Sequence, residues 1–145
     1  MFSIFGVGDY SFKPFKVAIS GLYNTYHFTL VLLQNDKPVM LDDTCYFIGF
    51  DIVEFAVYSI ILLNSKATEA FLKSITVSDA KRVFTKDLLM RLDLLNLAYV
   101  ISKTEIEEHL MLLNDKYSLN INLSLWDSFI HEITPDKEKQ LTLFE

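Results

Sequence analysis

Residues 37–65, KPVMLDDTCYFIGFDIVEFAVYSIILLNS, constrain the fold more than any other stretch, because they read as a strand running straight into a core helix. Cys45, Phe47 and Gly49 alternate with Tyr46, Ile48 and Phe50, and nearly all are apolar, so both faces of this strand should be buried. Asp51 stops the strand and is expected to cap the helix that follows. Glu54, three residues on, sits where a capping-box partner belongs and where the helix dipole favours an anion. Behind it Ile52, Val53, Phe55, Ala56, Val57, Tyr58, Ile60, Ile61, Leu62 and Leu63 are apolar almost all the way round. A helix of that kind must be covered on several sides. The rest of the chain has to supply the cover.

A length of 145 residues is about one domain, and 51% hydrophobic residues with twelve Phe, seven Tyr and one Trp are ample for a core. That apolar content excludes a disordered chain. Apolar runs such as residues 60–63 fall far short of the ~18 residues that cross a bilayer, so no membrane partner is expected. No basic segment precedes an apolar one at the start, so no signal peptide is expected. The single cysteine, Cys45, leaves no intrachain disulfide and fits a cytoplasmic setting. The net charge of −6 is unevenly spread: residues 1–100 hold nine Lys/Arg against ten Asp/Glu, and residues 101–145 hold four against nine. The acidity belongs to the tail, and the nearly neutral remainder can still bind DNA where its cations share a face.

Phe2, Ile4, Tyr10, Phe12 and Phe15 flank a turn at Gly6-Val7-Gly8-Asp9. Residues 15–20 read as a strand, Gly21 breaks it, and Tyr23-Asn24-Thr25 form a polar, aromatic turn. Residues 26–33 are rich in strand formers and end in the turn signal Gln34-Asn35-Asp36, with Pro38 at a strand start or edge. Four or five strands therefore precede the first helix, and all four glycines fall before residue 50, where a curved sheet turns and bulges. A second helix is predicted over residues 68–74, then a short extended piece at Ile75-Thr76-Val77. Residues 78–82 form a polar loop, and Thr85 caps a helix with Leu88, Leu89 and Leu92 inward. Residues 94–101 suit a strand or a helix equally by periodicity. Ser102 with Glu105 forms a capping box, Ser124 with Asp127 another, and Thr134-Pro135 reads as a cap and first helical residue.

Several phrases then gain meaning together: YSFKPFKVAISG at residues 10–21, KPVMLDDTCY at residues 37–46, Leu62-Leu63-Asn64-Ser65, Phe71-Leu72-Lys73-Ser74, Asp79-Ala80-Lys81-Arg82 and Leu88-Leu89. In this order and spacing they resemble the C-terminal part of N6-adenine DNA methyltransferases of restriction–modification systems, the part that holds the target-recognition domain. The resemblance runs over roughly residues 1–95 and has no counterpart for the acidic tail. It implies a module that grips double-stranded DNA while a catalytic domain, in the same or another chain, methylates a flipped adenine. S-adenosylmethionine is expected in that missing catalytic domain and no cofactor in this chain. The Asn-Pro-Pro-Tyr type motif of such enzymes does not occur here. Their cofactor turn needs a strand–loop–helix unit, but Phe5-Gly6-Val7-Gly8-Asp9 is followed by Tyr10-Ser11-Phe12-Lys13-Pro14, so these glycines serve a tight turn. No catalytic residue and no metal site are expected.

For DNA contact the candidates are Lys81, Arg82 and Lys86, between a loop and a helix start, with Lys13 and Lys16 as a second cluster. Tyr23, Asn24 and Tyr26 in the polar turn suit base edges, Asn being matched to adenine. The plainer reading is a solvated surface with Lys81 or Arg82 paired to Asp79. A rival is a Mg²⁺-dependent nuclease in which Asp79 and Lys81 point to one side of a strand and Asp42 or Asp43 adds a carboxylate. Asp42-Asp43-Thr44 reads more simply as a turn tied by its side chains. His27 is expected half-buried in a strand, His109 and His131 at the surface, and Trp126 and Phe129 in the core. The whole reads as an α+β protein: a curved, mostly antiparallel N-terminal sheet with packed helices over residues 1–100, and an acidic helical extension over residues 101–145 packed on the same core. Its expected function is target recognition for an adenine methyltransferase; the alternative is a non-catalytic protein-interaction domain.

Overall fold

A computed structural model describes residues 3–4, 12–20, 27–41, 45–75 and 92–135. Its elements are β1 (Ser3–Ile4), β2 (Phe15–Ser20), β3 (Thr29–Val31), β4 (Cys45–Phe50), α1 (Val53–Leu63), α2 (Lys66–Ile75), α3 (Leu94–Val100), α4 (Lys103–Tyr117) and α5 (Trp126–Ile133). The fold is α+β, and the strands form one sheet in the order β1-β4-β2-β3, antiparallel at every pairing. Four strands thus precede the first helix among the described residues. Val17 sits at the centre, opposite Leu30 on one side and Ile48 on the other. The turn at Asn35-Asp36 has positive φ at both residues, 52° and 61°, closed by Gln34 and Lys37 in mutual backbone bonds of 2.9 and 3.0 Å. That is the two-residue hairpin geometry that Asn and Asp tolerate best.

Strand β4 is buried from both sides, as its composition requires: neighbouring Phe47 and Ile48 point to opposite faces and are 2% and 6% exposed. The Ile48 face, with Val17, Ile19 and Leu30, meets α1 in the main core. The Phe47 face carries Ala18 and, one pair along, Lys16. Every residue of α1 from 56 to 63 is buried. Tyr58 donates its hydroxyl to the Asn122 carbonyl, and its ring meets Trp126 and Phe129 at centroid distances of 5.2 and 5.5 Å. Phe129 is indeed a core residue, Ile106 of α4 joins the same cluster, and Trp126 is half-buried and packs against it.

The helix ends differ from the sequence expectation in instructive ways. Asp51 does not cap α1: Ile52 occupies the cap position, no side chain bonds there, and the Asp51 carboxylate pairs with Lys13 instead. Helix α2 starts at Lys66 rather than 68, because Ser65 Oγ accepts from Thr68 N–H at 3.4 Å while donating to the Leu62 carbonyl at 2.7 Å. It ends at Ile75, which is helical rather than extended. Residues 94–100 are helical, and the deciding group is Asp93, whose carboxylate accepts from Leu95 and Asn96 N–H at 3.0 and 3.4 Å. Ser102 caps α4 through Glu105 N–H at 3.1 Å, but Glu105 reaches away to Lys66 N–H at 2.8 Å, so the box is half made and α4 is tied to the start of α2. Leu125, not Ser124, holds the cap position of α5, and Thr134 closes that helix, its hydroxyl donating to the Ile130 carbonyl at 2.6 Å; the helical turn expected after Thr134-Pro135 lies outside the described residues. The predicted extended piece at Thr76-Val77, the residue 78–82 loop and the helix capped by Thr85 lie outside the described residues.

Candidate nucleic-acid interface

Lys13 and Lys16 stand three residues apart at the entrance to β2, and the fold separates their roles completely. Lys16 is 1% exposed. Its Nζ donates to the carbonyls of Lys13 at 2.8 Å and Val39 at 2.7 Å and lies 5.9 Å from the Phe47 ring centroid. Desolvation holds its pKa below the ordinary lysine value. An ammonium so enclosed is a structural cross-link between the start of β2 and the segment leading to β4.

Lys13 points the other way. Its Nζ lies 2.7 Å from Asp51 Oδ2, and the two side chains are 37% and 69% exposed. This is a solvated ion pair, the kind that contributes about 0–1 kcal/mol and that a competing anion can open. Sequence reasoning missed the pairing, because 38 residues separate the partners and nothing local links them.

The phrases behind the methyltransferase resemblance have visible structural work. The residue 10–21 and 37–46 phrases meet at the Lys16 ammonium. In the Leu-Asn-Ser phrase, the Asn64 amide accepts from Phe28 N–H at 2.7 Å and donates to the Phe28 carbonyl at 2.9 Å, anchoring the approach to β3. Ser65 starts α2. The described parts of these three phrases thus belong to one folded unit, while Asp79-Ala80-Lys81-Arg82 and Leu88-Leu89 lie outside the described residues.

The remaining candidates, Tyr23, Asn24, Tyr26, Lys81, Arg82 and Lys86, lie outside the described residues, as do Asp42, Asp43 and Asp79 of the nuclease alternative. His27 is exposed rather than half-buried, since the strand begins two residues later at Thr29. His109 is half-buried, its Nε2 3.7 Å from Glu105 Oε2, and His131 is exposed. Among the described residues no group of three His, Cys, Asp or Glu is arranged to hold a metal, and no helix is long and apolar enough to cross a membrane.

Comparison with known proteins gives one informative match. The chain is 46% identical over 100 residues to the Type II methyltransferase M.NspV of a Nostoc species. The matched part is 69% of this chain and 21% of that protein, so the chain spans about a fifth of the length of this curated relative. The similarity supports a region related to restriction–modification methyltransferases. No protein-family model and no solved structure matches the chain.

Proposed function

We propose that this chain is a DNA-reading part of an adenine-specific methyltransferase: it holds duplex DNA and recognises a target sequence while a separate catalytic domain, which binds S-adenosylmethionine, transfers the methyl group. The similarity to M.NspV carries the reading. Two features support it. Three of the phrases that resemble target-recognition regions meet, in their described residues, at two tertiary ties, at Lys16 and Asn64, so that part of the likeness follows a folded unit. Lys13 offers an accessible cation beside that unit, and Lys81, Arg82 and Lys86 follow in the chain as further phosphate ligands, with Tyr23, Asn24 and Tyr26 as base-edge candidates.

A salt series with a mixed-sequence duplex tests this. Affinity should fall as salt rises, and Lys81→Ala or Arg82→Ala should each weaken binding and lower the salt slope by about one. Absence of binding even at low salt would leave the protein-interaction reading, which Met111 and Leu112 favour: they project from α4 at 70% and 67% exposure.

A further inference from the structure

The geometry points to Asp51 as an internal stand-in for a DNA phosphate: it holds Lys13 in the free protein, yields it on binding, and then caps α1. This rests on the DNA-binding reading proposed above.

Three observations lead there. The Lys13–Asp51 contact is short at 2.7 Å but solvated, so a phosphate can reach the same ammonium. The backbone beneath Lys13 is held, because Lys16 Nζ grips the Lys13 carbonyl, so on the Lys13 side an exchange of partners requires only side-chain motion, and the backbone change falls at Ile52. The helix next to Asp51 lacks what Asp51 would supply. Helix α1 begins with Ile52 extended (φ −116°, ψ 122°) and without a side-chain cap, and its opening bond, Ala56 N–H to the Ile52 carbonyl, is long at 3.3 Å. Turning Ile52 into the helix would make Asp51 the cap residue, with its carboxylate on the first-turn N–H groups. Surface ion pairs and helix caps contribute on comparable scales, so the two arrangements of Asp51 are closely balanced. A phosphate at Lys13 tips the balance, since a carboxylate left beside it would be repelled.

Phosphate contacts are independent of sequence, so the test needs no knowledge of the target site. Binding of a mixed-sequence duplex to the full chain is measured at low and high salt for wild type, Lys13→Ala, Asp51→Asn, Asp51→Ala and the Lys13→Ala/Asp51→Asn double variant, with amide exchange at residues 53–55 followed in parallel. Asp51→Asn removes the charge but keeps capping ability, and should bind about fivefold tighter at low salt, the advantage fading as salt rises. Once Lys13 is Ala, the Asp51→Asn gain should fall below about twofold, because Asp51 acts through Lys13. Exchange at residues 53–55 should slow on adding duplex to wild type, be slow already in Asp51→Asn, and stay fast in Asp51→Ala. An equal gain with and without Lys13, no gain at all, or first-turn amides blind to duplex would overturn the inference while leaving DNA binding intact. Failure of every variant to bind at any salt would instead remove the functional reading, and this inference with it.

Discussion

The sheet end and the helical end of this protein use the same device on partners of different depth. Asn64 pairs its side-chain amide with both backbone groups of Phe28, and Asn114 does the same with Ile121, at 2.9 and 2.8 Å. Phe28 is fully buried between the sheet and α1, whereas Ile121 lies in a half-exposed loop beside α4. Around Asn64 nearly every neighbour is core; around Asn114 the chain is acidic and presents Met111 and Leu112 to solvent. The contrast shows that hydrogen-bond geometry alone does not set what a tie contributes. The depth of the groups left unpaired on its loss does.

The largest effect should come where the two ends meet. Phe129 of α5 is enclosed by Phe55, Tyr58 and Trp126, and Phe129→Ala should cost about 3–5 kcal/mol in urea unfolding. A loss below about 1 kcal/mol would show that α5 is only loosely attached, and the contrast would become one between separate units. Next, Asn64→Ala should cost about 2–3 kcal/mol and Asn114→Ala about 1 kcal/mol, both read from denaturation midpoints. Equal losses would break the depth argument.

Tyr58 sharpens the comparison through pH, since it ties α1 to the Asn122 carbonyl across the boundary. Burial raises its pKa above the ordinary tyrosine value, helped by the nearby Glu54 charge and opposed by a backbone hydrogen bond at Leu125. The unfolded phenol therefore ionises first as pH rises through the ordinary value of 10.0, and stability falls from there until the folded group ionises too. Tyr58→Phe should cost about 1 kcal/mol at neutral pH by loss of the hydrogen bond, and its stability should decline less steeply on the alkaline side. An unchanged alkaline slope would mean that the phenol is not desolvated. The smallest effect belongs to the surface of α4: replacing Met111 and Leu112 by Ser should move stability by less than about 0.5 kcal/mol in either direction. A larger loss would place these side chains in a packed layer.

Much of the scaffold was legible in residues 37–65, because local periodicity reports burial directly. The apolar alternation of residues 45–50 and the all-round apolar residues 52–63 predict a sandwiched strand and a core helix, and both are there. Ser102 likewise acts within three residues of itself, so its cap on α4 could be read from spacing. The candidate site was less legible. Lys13 and Lys16 look alike in a list of cations, yet one is sealed under Val39 and the other is solvated beside Asp51.

Composition and spacing determined the class of fold, the core helix and the local caps, since those forces act between residues a turn or a pleat apart. Tertiary structure alone decided what Asp51, Glu105 and Lys16 do, because each had a plausible local role and was claimed by a partner distant in sequence. A charged group settles where desolvation and pairing balance over the whole fold, and that balance cannot be read from its immediate neighbours.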